Sequence, residues 1–145
     1  MASTNDIIMP PGDVEDFLTT TREILEHDED WQINMQEWAG KINKTRNFMA
    51  EKNLKRKDVK QVVGKLAVEN YCYTRDDANE KFPNEQFWFF GINQNIIDEE
   101  IDLYIKLKIR KIANESLLVM SFHPECPERP EDKLQFPYKN LKTYT

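Results

Sequence analysis

Apolar and polar residues alternate without interruption from position 101 to position 110. This period of two is typical of a β-strand with one buried and one exposed face. The apolar row consists of Ile101, Leu103, Ile105, Leu107 and Ile109. The polar row consists of Asp102, Tyr104, Lys106, Lys108 and Arg110. The polar row combines a phenol with three cations on a face that the core does not use, so we look for function there.

Two more strands are predicted beside this one, at residues 86–91 and 117–123, and the alternating strand itself extends to residue 113. The short segment Asn114-Glu-Ser suits an antiparallel hairpin between the last two strands. If the alternation continues through the hairpin without a bulge, the buried face gains Leu118, Met120 and Phe122. The polar face then gains Val119, Ser121 and His123.

Three helices are predicted ahead of these strands. Asp13 offers an N-cap for the first, the second covers residues 43–52, and the third begins at residue 55. A short strand or extended segment is predicted at Trp31. This order indicates an α+β domain in which three N-terminal helices pack on one face of a small antiparallel sheet of at least three strands.

Both ends of the chain are predicted to be extended. Residues 1–12 are polar and end in Pro-Pro-Gly, which predicts a flexible N-terminal arm. Residues 13–145 are predicted to form a single domain whose last part, residues 124–145, is an extended proline-rich tail. The apolar runs are far shorter than the roughly 20 residues that span a bilayer. The N-terminus also lacks the features of a signal peptide. We therefore expect a cytoplasmic protein that does not associate with membranes.

Charge is distributed unevenly along the chain. The net charge is −6, but residues 1–40 carry −9 and residues 41–65 carry +7. Because screening lets nearby charges dominate a site, the basic segment can attract an anionic partner even though the whole chain is acidic. The alternative is an ordinary solvated helix face.

Known cofactor motifs are absent from the sequence. The four glycines are scattered, so no phosphate-binding loop or dinucleotide turn is formed. Cys72, Cys126 and His123 lack the paired spacing of a zinc site, and two cysteines are too few for a disulfide framework. We therefore expect no cofactor and no metal.

Tyr104, Lys106 and His123 form the best candidate constellation. Metal-free cleavage of RNA needs a base for the 2′-hydroxyl proton, a cation for the charged phosphorane and an acid for the leaving oxygen. Histidine can transfer either proton, lysine can hold the phosphate, and tyrosine can stack on a base or orient a group. The alternative is a polar sheet face without a function, since alternation alone needs none.

Several motifs resemble, in order and spacing, those of one known family. They are Asn47-Phe-Met-Ala-Glu-Lys-Asn-Leu-Lys-Arg-Lys-Asp-Val, Glu69-Asn-Tyr, Phe87-Trp-Phe-Phe-Gly, Leu103-Tyr-Ile-Lys-Leu, Met120-Ser-Phe-His-Pro and Phe136-Pro-Tyr-Lys. Nearly the whole domain resembles the MqsR-type toxins of bacterial toxin–antitoxin pairs, relatives of the RelE-like messenger-RNA interferases. The resemblance implies a RelE-like fold and an endoribonuclease that cuts messenger RNA without a metal, on or off the ribosome. It also implies a cognate antitoxin that holds the enzyme inactive.

The resemblance carries over to individual residues. Tyr104 and Lys106 match the family's Tyr-x-Lys strand element, and His123 matches a subgroup with Ser-Phe-His. Contacts with RNA are expected from Lys108, Arg110, Tyr73, Lys55, Arg56 and Lys57. Two positions depart from the family, because Tyr73 stands in place of a functional lysine and Phe89 in place of a glutamine. These departures favour the alternative function, a non-catalytic RelE-fold protein that binds or inhibits a protein or nucleic acid.

Overall fold

The computed structural model describes residues 6–37, 40–111, 114–125 and 133–141. In chain order its helices and strands are α1 (Pro11–Leu25), β1 (Trp31–Ile33), α2 (Lys44–Glu51), α3 (Arg56–Lys65), β2 (Tyr71–Asp76), β3 (Gln86–Ile96), β4 (Glu99–Arg110) and β5 (Ser116–Pro124). The strands form one open sheet in the order β1-β5-β4-β3-β2. The predicted α+β class with N-terminal helices is confirmed. The sheet is mixed rather than antiparallel, because β1 pairs with β5 in parallel.

The three helices begin where local chemistry allows it. Pro11 is the first residue of α1, where its fixed φ is favourable and its missing N–H is not needed, so α1 begins ahead of the predicted cap. The side chain of Asn43 caps α2 by accepting a hydrogen bond from the Arg46 backbone N–H. Asp58 accepts the Lys55 backbone N–H at the start of α3 at 2.8 Å. No helix among the described residues has both the length and the apolar character needed to cross a membrane.

The main core lies between the helices and one face of the sheet, which we call the helix face. From β4 it contains the predicted apolar row, of which Ile109 is only partly buried. The helices contribute Val14, Leu18, Phe48, Val59 and Val63. Because these side chains come from all three helices, the helices cover this face together.

A β-bulge at Met120 changes the predicted faces of β5. Lys106 pairs with Ser121 and the next residue of β4 pairs with Val119, so Met120 has no partner. A bulge inserts one residue and reverses the alternation on one side of it. The predicted faces are therefore wrong before the bulge and right after it. Leu117 and Val119 are fully buried in place of Leu118 and Met120, whereas Phe122 is buried as predicted and Ser121 and His123 lie on the opposite face.

Two features of the sheet were not predicted. β2 (Tyr71–Asp76) has no counterpart among the strands predicted from the sequence. β3 continues to Ile96 and joins β4 through a two-residue turn in which Ile97 and Asp98 both have positive φ. Such turns usually contain Asn-Gly, so Ile-Asp gives no recognisable signal for a hairpin.

The described parts of both chain ends contact the sheet. Ile7, in the predicted flexible arm, pairs with Thr74 of β2 through two backbone hydrogen bonds of 2.8 Å. In the predicted tail, Leu134 is buried in a second apolar cluster on the sheet face away from the helices. The Tyr138 hydroxyl donates to the Met9 carbonyl at 2.6 Å, which links the two segments.

Gly91 is the point at which the C-terminal segment approaches the sheet most closely. A Cβ at this position would lie 2.8 Å from the Phe136 ring and 2.9 Å from Leu134. We expect Gly91→Ala to lower the free energy of unfolding by about 1–3 kcal/mol, the usual range for overpacking. Chemical denaturation monitored by circular dichroism measures this change.

Gly64→Ala in α3 is the matched control. A Cβ there meets no atom within 4 Å, and alanine favours the helix, so the stability should stay the same or rise by up to about 1 kcal/mol. An unchanged Gly91→Ala protein would contradict the described packing of residues 133–141.

Candidate functional site

Four aromatic rings form a continuous row across the sheet, on the face opposite the helices. We call the face that carries Tyr73, Phe89, Tyr104 and His123 the aromatic face. Tyr73 stacks on Phe89 with ring centroids 4.3 Å apart, and Phe89 meets Tyr104 edge-on at 6.0 Å. Tyr104 stacks on His123 at 5.1 Å with an interplanar angle of 20°. The row spans β2, β3, β4 and β5.

Strand register produces this row. Tyr73 is the direct partner of Phe89, and Tyr104 is the direct partner of His123. Directly opposed side chains on one face are close enough for rings to contact each other. Lys106 lies two residues after Tyr104 and on the same face. The structure therefore brings the three predicted residues together, and the two positions that depart from the family stack on each other.

His123 is half-buried, and its ring is oriented by a backbone carbonyl. Nδ1 lies 2.9 Å from the carbonyl oxygen of Pro124, which can only accept, so Nδ1 carries the proton in the neutral ring. Nε2 is then left with a free lone pair. Burial lowers the pKa of His123, a further decrease comes from the positive charge of Lys44, and the carbonyl contact partly opposes both. His123 is thus a neutral base at neutral pH.

The pKa of Tyr104 shifts in the opposite direction from that of His123. Burial raises the pKa of its hydroxyl above the ordinary value, and Arg75 opposes this only in part. The hydroxyl therefore keeps its proton at neutral pH and can act as a hydrogen-bond or proton donor beside the His123 ring.

Lys106 places an ammonium group over aromatic rings. Its Nζ lies 4.1 Å from the centroid of Phe87 and 5.5 Å from that of Phe89. Burial lowers its pKa, and the charge of Arg75 adds to the decrease. In the described part of the chain no carboxylate forms an ion pair with Lys106. Its charge is therefore available to an anion.

Arg75 is a functional candidate that the sequence analysis missed. Its guanidinium lies over the rings of Tyr73 and Phe89, at 5.3 and 5.6 Å, and pairs with Asp6 at 2.6 Å. The alternation of Tyr73 and Arg75 could have indicated it, had the start of β2 been recognised. Lys106 makes one end of the aromatic face cationic, and Arg75 lies beside it with its charge offset by Asp6.

Lys108 and Arg110 form ion pairs with carboxylates of the same chain. The Lys108 side chain is only 3% exposed and pairs with Asp77 and, at 2.9 Å, with Glu85. Arg110 pairs with Glu85 at 3.0 Å. These contacts fasten the loop between β2 and β3 to the sheet. These contacts do not support the expected role of the two cations in guiding RNA.

Lys55, Arg56 and Lys57 lie at the start of α3, in the helix layer. The Arg56 guanidinium covers the Trp31 ring at 3.8 Å and bonds to the backbone of Asp28. Lys55 and Lys57 extend from the same end of α3. Because the helices cover the helix face, these residues lie apart from the aromatic face.

A cleft of about 270 Å³ opens beside His123, between β5 and the segment that precedes α2. Its lining includes Lys41, Lys44 and Ser121. The Thr45 hydroxyl accepts the backbone N–H of Phe122 at 2.8 Å, which holds the start of α2 against β5. In the sequence these two lysines are recognisable only as part of the basic segment, because their contact with β5 depends on tertiary packing.

Metal ligands are sparse around this site. Among the described residues, His27, Glu29 and Asp30 form the group that could hold an ion, and it lies on the surface away from His123. Cys72 is buried beside the aromatic face, whereas Cys126, the third member of the weak zinc grouping, lies outside the described residues. The site itself offers a neutral imidazole, a protonated phenol and cations.

We expect His123 to titrate below the ordinary histidine value of 6.5, because burial and Lys44 favour the neutral ring. Lys44→Ala should raise this pKa by removing the nearby positive charge. The midpoint can be measured by NMR of the ring protons. His27→Asn leaves His123 as the sole histidine and assigns the signal. A midpoint at or above 6.5 in the His27→Asn protein would contradict the described environment.

Lys108→Ala should lower the free energy of unfolding at pH 7 by about 3–5 kcal/mol, because Asp77 loses its lysine partner and Glu85 keeps only Arg110. Burial favours the protonated acids, but the hydrogen bonds from Lys108 and Arg110 lower both pKa values. This contribution is present above the ordinary values of 3.8 and 4.5 and is lost as the pH falls through the folded values. Urea denaturation at pH 7 and pH 3 tests this, since the difference from wild type should shrink in acid.

Lys111→Ala removes an exposed lysine next to the end of β4 and is the matched control. It should change stability by less than about 0.5 kcal/mol. Equal effects of the two substitutions would mean that the buried ion pairs do not hold the loop.

Comparison with known families, curated proteins and solved structures gives no match for this chain. The aromatic face and the cleft beside it are therefore the features that bear on its function.

Proposed function

We propose that this protein is a metal-independent endoribonuclease of the RelE-like kind and the toxin of a toxin–antitoxin pair. The observation that carries the proposal is the stacking of His123 on Tyr104, with cations on both sides. Lys106 and Arg75 lie toward β2, and Lys41 and Lys44 line the cleft on the other side. The motifs that resemble MqsR-type toxins support the same activity.

Each chemical role has a residue suited to it. Nε2 of His123 takes the proton of the 2′-hydroxyl, because the ring is neutral and its other nitrogen is engaged. The 2′-oxygen then attacks phosphorus, and the ammonium of Lys106 stabilises the charged phosphorane. The Tyr104 hydroxyl gives its proton to the departing 5′-oxygen. The products are a 2′,3′-cyclic phosphate and a 5′-hydroxyl, and proton exchange with water restores the two side chains.

The arrangement of cations favours an RNA chain that crosses the strands. One phosphate would contact Lys106, and the next part of the backbone would contact Lys44 in the cleft. The half-buried rings of Tyr73 and Tyr104 offer stacking surfaces for unpaired bases. In a toxin–antitoxin pair, the cognate antitoxin would act by blocking this path.

The second candidate function is RNA binding without cleavage. The observation that favours it is the stacked pair of Tyr73 and Phe89, which occupies the positions where the resembling family has a functional lysine and a glutamine. In this case the aromatic face would hold RNA and the antitoxin-like partner would control access. The two candidates differ only in whether the phosphodiester is broken.

Purified wild-type protein and the variants His123→Ala and Lys106→Ala should be compared on a labelled single-stranded RNA, with and without ribosomes. Each substitution should slow cleavage by about 10²-fold or more, which is typical of a lost proton-transfer group or charge stabiliser. Lys111 follows the end of β4 and takes no part in the proposed site. The Lys111→Ala protein should therefore cleave within about twofold of wild type.

RNA binding should be measured in parallel by fluorescence anisotropy. Lys106→Ala should bind RNA more weakly, whereas His123→Ala should bind nearly as well as wild type. Binding without cleavage by the wild-type protein under every condition would exclude the nuclease and leave the second candidate. Full cleavage by both variants would refute the site.

A further inference from the structure

A second basic surface lies in the helix layer, on the opposite side of the sheet from the aromatic face. It is a groove of about 420 Å³ between α1 and α3, which we call the basic groove. Its lining includes Arg22, Leu25, Lys57, Lys60, Gly64 and Lys65. Nothing in the proposed nuclease mechanism uses these residues.

The basic groove is strongly cationic for its size. Within the described residues four cations line it against one carboxylate, that of Glu26, and one of the four, Arg22, also pairs with Glu15 at 3.0 Å. Among the described residues, no acidic side chain forms an ion pair with Lys57, Lys60 or Lys65. Lys57, Lys60 and Lys65 all belong to the basic segment of residues 41–65, although the whole chain carries −6. A local positive potential of this kind attracts acidic ligands.

The shape of the groove favours a polypeptide. Gly64 leaves its floor open, since an added Cβ would meet no atom within 4 Å. Leu25 and the lysines line it, and the aliphatic stem of a lysine can cover an apolar side chain. Within the described part of the chain no aromatic ring lines the groove, so these residues give it no stacking surface of the kind that single-stranded nucleic acids use.

We infer that the basic groove docks an acidic segment of a partner protein. Carboxylates of the segment would pair with Lys57, Lys60 and Lys65, and a small apolar side chain would lie over Gly64. The positive charge of the groove favours an acidic partner. The open space at Gly64 leaves room for one side chain of that partner. The inference is independent of RNA cleavage, because the aromatic face is on the other side of the sheet.

A labelled 16-residue peptide of Glu, Ala and Leu, with the leucines at helical spacing, is a suitable probe. Its binding can be followed by fluorescence anisotropy at low salt. Lys57→Glu/Lys60→Glu should weaken binding at least tenfold. Lys133→Glu/Lys139→Glu, which makes the same charge change at exposed positions on the C-terminal segment, should change binding by less than about twofold.

Gly64→Leu tests the groove without changing charge. It should fill the floor and weaken peptide binding several-fold, while circular dichroism shows an intact fold. A peptide with Gln in place of Glu should bind at least tenfold more weakly to wild type. The inference is overturned if the glutamine peptide binds equally well, or if the Lys57→Glu/Lys60→Glu protein binds as tightly as wild type. It is also overturned if a labelled U12 RNA binds more tightly than the acidic peptide and loses that binding in the Lys57→Glu/Lys60→Glu protein.

Discussion

The pairing of β4 with β5 is the constraint on which the candidate site depends. It places Tyr104 opposite His123 and Lys106 opposite Ser121, so residues from separate parts of the chain share one face. The same pairing places Leu107 and Val119 in the core on the other face. A shift of register by one residue would exchange the two faces, so burial of the apolar residues fixes the position of the imidazole.

Both faces of the central strands are at least partly covered, and this explains why the pKa values of the site residues are shifted. The helices cover one face, while residues 133–141 and the loop held by Lys108 partly cover the other. The polar side chains between these covers lose part of their hydration. The pKa values of His123 and Lys106 fall and that of Tyr104 rises, because burial disfavours each charged form. An open sheet face would leave all three near their ordinary values.

Local patterns in the sequence were enough to predict the helices, the strand β4 and its apolar row, because each depends on periodicity over a short window. The bulge at Met120 was not predictable, since it depends on which residue of β4 each residue of β5 meets. The neutralisation of Lys108 and Arg110 was also hidden, because their partners Asp77 and Glu85 lie in a loop far away in sequence. The position of Lys44 beside the site was not predictable either, because it depends on the packing of α2 on β5.

The bulge makes β5 one residue longer than the sheet requires. If Met120 were deleted, Val119 and Ser121 would become neighbours in a regular strand, still opposite Leu107 and Lys106. Val119, Ser121, Phe122 and His123 would then alternate between the two faces without a break. Position 120 is therefore where this strand can lose a residue without moving any side chain to the wrong face. The surplus residue instead lines the cleft beside His123, so the bulge shapes the neighbourhood of the imidazole, whereas the alternation of the core residues does not need it.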